Sequence, residues 1–116
     1  MPYVDGFVVP VEKKKLANYR RIAKKADKIW RDCGALEVRE WVADDVKPGK
    51  WTSFPRSVKL KRGETVVYSY IVFKSRADRD KVNAKVMQDK RFLAIMNEPM
   101  LFDGKRMIYG GFKSLL

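Results

Sequence analysis

Thr65-Val66-Val67-Tyr68-Ser69-Tyr70-Ile71-Val72-Phe73-Lys74 carries bulky β-forming side chains at both parities of one strand. Successive side chains on a strand point to opposite faces, so a segment apolar at odd and even positions is a central strand with a layer on each side. Tyr3 to Val11 has the same character, interrupted by Asp5 and Gly6, and reads as a second buried strand. Between them, Leu16, Tyr19, Ala23, Ala26, Trp30 and Cys33 recur at steps of three and four, with Ile22 and Ile29 widening the stripe. That spacing predicts a long amphipathic helix over Lys13 to Cys33, closed by Gly34 as a left-handed cap.

Leu36 to Ala43 alternates in a half-polar pattern suited to an edge strand. Asp44 to Gly63 is too long for an ordinary connection and reads as a lid, with Trp51, Phe54 and Val58 anchoring a short helical turn. Ser75-Arg76-Ala77-Asp78 has the form of a capping box and opens a second helix with Val82, Val86 and Met87 inside. A break is expected near Asp89 to Arg91, after which Phe92, Leu93, Ile95 and Met96 continue the apolar spacing to Pro99. Asp103-Gly104 is a tight-turn dipeptide, and Arg106 to Phe112 reads as the last strand.

The order is β, α, β, β, α, β, with the two most apolar strands first and third. This predicts one α+β domain over residues 1–116: a ferredoxin-like sandwich with a four-stranded antiparallel sheet. Right-handed crossovers put both helices on one face and leave the other apolar face bare. An apolar face of that size marks an association surface, so the protein is expected to partner itself as a two-fold homodimer through the sheet.

Composition narrows the function classes. The chain has 116 residues, no histidine, and one cysteine, Cys33. An intramolecular disulfide, the usual zinc spacings and the usual neutral-pH base are therefore excluded. No metal and no cofactor is expected. Without an apolar run of membrane length or a basic leader, the chain reads as cytoplasmic. The net charge of +12 suggests a polyanion, and Glu12 to Cys33 supplies half of it through nine Lys and Arg against three acidic residues. Tyr19 and Trp30 lie on the buried stripe, away from those lysines, so the stacking platform of a single-strand nucleic-acid binder is missing and a solvated helix face is the preferred reading.

Asp5 is the most informative polar residue, because a carboxylate in a buried strand is costly unless paired or used. A structural pair is favoured, with Arg106 as one partner and Tyr68, Tyr70 and Tyr109 as hydroxyl donors. If the site is catalytic, Asp5 is the candidate general base. Tyr3, Phe7, Tyr68, Tyr70, Arg106 and Tyr109 then line a ligand cavity, with Trp41 and Asp44 at its mouth. Tyr3, Asp5 and Phe7 are expected on the bare face, and Val4, Gly6 and Val8 under the helices.

Tyr3 to Val11, Trp41 to Phe54 with Asp44-Asp45-Val46 and Pro48-Gly49-Lys50, and Phe102 to Phe112 with its Phe-Asp-Gly-Lys-Arg-Met-Ile-Tyr-Gly-Gly-Phe run together resemble the YbaA-like family of small bacterial proteins. That family is a domain of unknown function. The resemblance implies the dimeric α+β barrel superfamily, in which two ferredoxin-like sheets pack face to face; some of its members are monooxygenases or isomerases. Where the family has Asp-Pro-Arg, this chain has Asp89-Lys90-Arg91. The resemblance brings no activity and no catalytic residues. The leading reading is a homodimer holding a small, partly apolar molecule between sheet and lid, with cofactor-independent chemistry left open. The alternatives are a polyanion binder acting through helix one and an interaction module without chemistry.

Overall fold

The computed structural model describes residues 1–116. Strand β1 (Tyr3–Glu12) passes through a 3-10 turn at Lys13–Lys15 into helix α1 (Leu16–Cys33), and β2 (Glu37–Val42) follows. The short helix α2 (Phe54–Ser57) interrupts the long connection to β3 (Glu64–Phe73). Helices α3 (Arg76–Gln88) and α4 (Lys90–Met96) then lead to β4 (Ile108–Lys113). The strands form one antiparallel sheet in the order β2-β3-β1-β4, so the two most apolar strands occupy its centre.

Local signals set the element ends. The Gly34 N–H donates to the carbonyls of Trp30 and Arg31 at φ 123°, where a side chain would be strained, and α1 stops there. The Ser75 hydroxyl accepts from the Asp78 N–H and opens α3. The expected break is real: Asp89 ends α3, and its carboxylate accepts from the Arg91 N–H as the N-cap of α4. At Asp103-Gly104 the Asp103 carboxylate accepts from the Lys105 N–H in a tight turn. The last strand begins two residues later than expected, at Ile108, because the Arg106 N–H is committed to the Asp103 carbonyl of that turn.

Helices α1, α3 and α4 cover one face. Ile29, Ala35, Ile71, Phe73, Val82 and Val86 form the main core there, with Tyr3, Phe7, Trp30, Val38 and Phe92 packed against it. Val9, Val11 and Val67 extend this layer beneath Leu16 and Tyr19. On the opposite face, Val8, Val58 and Val66 make a smaller cluster with Ala43 and Leu60, so the segment after β2 folds back over one end of the sheet. Val58 is fully buried there. Trp51, expected as an anchor of that segment, is 87% exposed and does not serve as one. No helix is long and apolar enough to cross a membrane.

The parity of β1 is the reverse of the expectation, whereas that of β3 agrees with it. Directly paired residues share a face, and the register sets Gly6 beside Tyr70 and Phe7 beside Ser69. Tyr3, Asp5 and Phe7 therefore lie under the helices, and Val4, Gly6 and Val8 share the helix-free face with Tyr68, Tyr70 and Val72. The cause is polar satisfaction: α3 offers cation and amide partners to Asp5, which the bare face does not.

Candidate functional site

Asp5, 8% exposed, sits where β1 meets α3. Its carboxylate accepts from the Arg79 guanidinium at 2.8 Å and from the Asn83 amide at 3.5 Å. Asn83 in turn accepts from the Trp30 indole N–H at 3.2 Å, which ties α1 into the same network. Arg79 also donates to Asp80 at 2.8 Å and lies 4.9 Å over the Tyr3 ring. Every strong group in this cluster is thus engaged by another, as burial demands. The Asp5 carboxylate is a structural partner of Arg79, turned away from any cavity on the bare face. The sequence carried a signal for this partner. Val82 and Val86 define the inner stripe of α3, and Arg79 and Asn83 each stand three residues before one of them, flanking that stripe.

Arg106 pairs elsewhere. Its guanidinium donates to Glu64 at 2.6 and 2.8 Å and to Asp103 at 3.0 Å, and to the carbonyls of Val58 and Lys59 at 3.4 and 3.1 Å. It clasps the base of the 44–63 segment to β3 and to the approach of β4. Glu64 is held below its ordinary 4.5 chiefly by the hydrogen bond from Arg106. Tyr109 stacks on Phe7 at 6.2 Å and so belongs to the helix side, at the β4 edge. Asp44 is exposed just beyond β2.

The bare face is aromatic. Trp41 stands beside Tyr68 across the β2–β3 pair, Tyr68 lies 6.1 Å from Tyr70, and Phe54 leans from α2 onto Tyr68 at 6.0 Å. On the other side of β1 the Phe112 ring lies over Gly6 and Gly110, which face each other in the register and whose missing side chains leave it room. Trp41, Phe54, Tyr68, Ile108 and Phe112 keep 45 to 63% of their surface exposed. Of the residues expected to meet a ligand, the structure brings Trp41, Tyr68 and Tyr70 together here. Tyr3, Phe7, Arg106 and Tyr109 are elsewhere. Phe54, Phe112 and the Gly6–Gly110 pair are members that sequence reasoning missed; their roles depend on register, which periodicity does not carry.

Of the charged groups on this face, Glu37 and Arg39 are paired to each other at 2.7 Å, and Glu12 and Glu64, at the far end of the central strands, are taken by Lys15 and Arg106. No three His, Cys, Asp or Glu side chains converge as a metal site. On the helix side, the Tyr19 hydroxyl donates to Glu40 at 2.6 Å. Loss of water raises both the Tyr19 and Glu40 pKa values above their ordinary positions. With Tyr19 held by Glu40 and Trp30 by Asn83, neither α1 aromatic is available to stack on a base. Among the α1 cations, Arg21, Lys28 and Arg31 are paired with Glu98, Asp32 and Asp27.

Comparison with known proteins gives a consistent result. The uncharacterized protein YbaA of Escherichia coli is 47% identical over 116 residues, covering 100% of this chain and 98% of the relative. The protein of the same description from Shigella flexneri matches equally. Among solved structures, the de novo designed protein Foldit4 aligns over 98% of this chain and 99% of its own at 11% identity, with a TM-score of 0.47. The model of the family described as "Protein of unknown function (DUF1428)" matches residues 2–104. The chain belongs to that family, whose YbaA relatives share its full length.

Proposed function

We propose that the protein acts as a two-fold homodimer through the helix-free face of its sheet, holding a small, partly apolar molecule between that face and the 44–63 segment. The observation that supports this is the aromatic surface of Trp41, Phe54 and Tyr68, backed by the more covered Tyr70 and joined across β1 by Phe112, left about half-exposed where helices cover the other side. A large aromatic side chain carries ~200 Å² of surface, so the four half-exposed ones, Trp41, Phe54, Tyr68 and Phe112, present about 400 Å² of mostly apolar area per protomer. A standard interface takes about 800 Å² from each partner, so this patch is the right size for the core of one. At ~25 cal/mol per Å², its burial is worth on the order of 10 kcal/mol per protomer, before association costs.

The reading is one of binding. Glu37 and Arg39 neutralise each other at the edge of this face, and Asp5 is committed to Arg79 on the far side of the sheet. The Phe54–Tyr68–Trp41 corner is apolar and borders a segment that Arg106 pins at its base. Native mass spectrometry of protein purified without denaturation tests this. The expected result is a dimer carrying an additional small mass, released on unfolding and reduced in Trp41→Ala and Phe54→Ala. Bare protein throughout, with no change in tryptophan emission when apolar probes are added, would contradict the ligand half of the reading.

A further inference from the structure

A groove of ≈ 610 Å³ runs between α1 and α4, on the helix layer and away from the aromatic sheet face. Its floor is apolar: Ala94, exposed, and Ile95, half-buried, lie above Ile29, which is 1% exposed and belongs to the main core. Its rim is cationic, formed by Lys24, Lys25 and Lys28 of α1 and Arg91 of α4. The rim cations differ in what holds them. Lys28 and Arg91 share Asp32, at 3.2 and 2.7 Å, which closes one end. Glu98 at the other end is taken by Arg21 at 3.5 Å. Lys24 and Lys25 have no carboxylate partner, although they stand over the floor.

We infer that this groove is a binding site for an amphiphilic anion: an apolar tail of medium length lying on Ala94 and Ile95, and a carboxylate or phosphate-type head held by Lys24 and Lys25. The volume lies within the usual 300–1,000 Å³ of small-ligand sites. Lysine suits such a rim, because its four-carbon stem adds apolar wall while its ammonium stays in water beside the head. A merely solvated basic helix face needs no apolar trough beneath its lysines, and a polyanion backbone would gain nothing from one. The inference concerns a surface separate from the proposed dimer face and stands or falls independently of it.

Calorimetric titration of the full chain with octanoate, decanoate and dodecanoate, each below its micelle concentration, tests it. Affinity is expected to rise severalfold for each two methylenes added, since the groove takes one side of the alkyl chain out of water. Octyl glucoside, with no charge, is expected to bind severalfold more weakly than octanoate. Ala94→Glu, which places a carboxylate on the exposed floor in a good helix former, is expected to cost decanoate at least tenfold. Lys24→Gln with Lys25→Gln, at solvent positions that leave the fold untouched, is expected to cost severalfold, and Lys81→Gln on α3 nothing. Phosphatidylglycerol vesicles separate a lipid surface from a free amphiphile. Vesicle binding without decanoate binding would overturn the inference. Equal affinity for all chain lengths, or decanoate affinity unchanged in both groove variants, would do the same.

Discussion

At the scale of single residues, Asp5 carries the sharpest consequence. It is a carboxylate in a strand otherwise packed with Val8, Val9 and Val11, stabilised there by Arg79, Asn83 and, through Asn83, Trp30. Removing one partner of such a pair leaves a buried charge uncompensated. Arg79→Met, which strips Asp5 of its only cation, should therefore lower the free energy of unfolding by about 3 kcal/mol, read from urea denaturation. Asp5→Val combined with Arg79→Met should recover most of that loss, since two apolar groups leave no orphan. The glycines of β4 differ from each other in a testable way. A side chain at Gly111 would run into the Tyr3 ring, with Cβ 2.8 Å from a ring carbon, whereas one at Gly110 meets only Phe112, at 3.7 Å. Gly111→Ala is expected to cost about 1–3 kcal/mol in the same assay, and Gly110→Ala distinctly less. Sequence reasoning recognised Asp5 as a buried charge needing a partner, but it chose Arg106. It had no means of seeing that β1 turns its odd positions toward α3. Period-two alternation is silent about which face is which when both faces are apolar.

At the scale of elements, the strands, both main helices, the break at Asp89 and the Asp103-Gly104 turn were legible because each rests on a short-range rule. Periodicity, a cap or a turn dipeptide acts over a few residues. The 44–63 segment was legible only in outline: α2 and the burial of Val58 followed from its apolar residues, but Trp51 points into solvent. What holds the segment is long-range, namely Arg106 on the carbonyls of Val58 and Lys59 and on Glu64. Arg106→Gln should accordingly speed amide hydrogen exchange at Val58, Lys59 and Leu60 while leaving the centre of β3 protected. The same clasp has a pH signature. Glu64 has a folded-state pKa below 4.5, so its contribution is full above the unfolded value and is lost as pH falls through the folded one. The thermal-midpoint gap between wild type and Glu64→Gln should therefore be widest above the ordinary 4.5 and narrow as pH falls below it. A constant gap would show that the pair is not linked to folding.

At the scale of the whole molecule, the sheet is covered by three helices on one side and, on the other, by a single folded-back segment at one end. The remainder of that side is the aromatic face, and the central proposal is that a second copy covers it. Sequence reasoning reached this expectation from topology, which the structure reproduces in the order β2-β3-β1-β4; it placed Tyr68, Tyr70 and Val72 on the face correctly but added Tyr3, Phe7 and Val9, which lie under the helices instead. The corrected face separates two kinds of variant. Phe7→Asp strikes the packed helix layer and should unfold the chain. Tyr70→Asp or Phe112→Asp strikes the bare face and should leave a folded chain that no longer associates. Equilibrium sedimentation at micromolar concentration tests the proposal most directly. The account predicts a dimer for wild type and for Lys25→Glu, and a folded monomer for Phe112→Asp; a well-folded wild-type monomer, or a dimer that Tyr70→Asp and Phe112→Asp both leave intact, would contradict it.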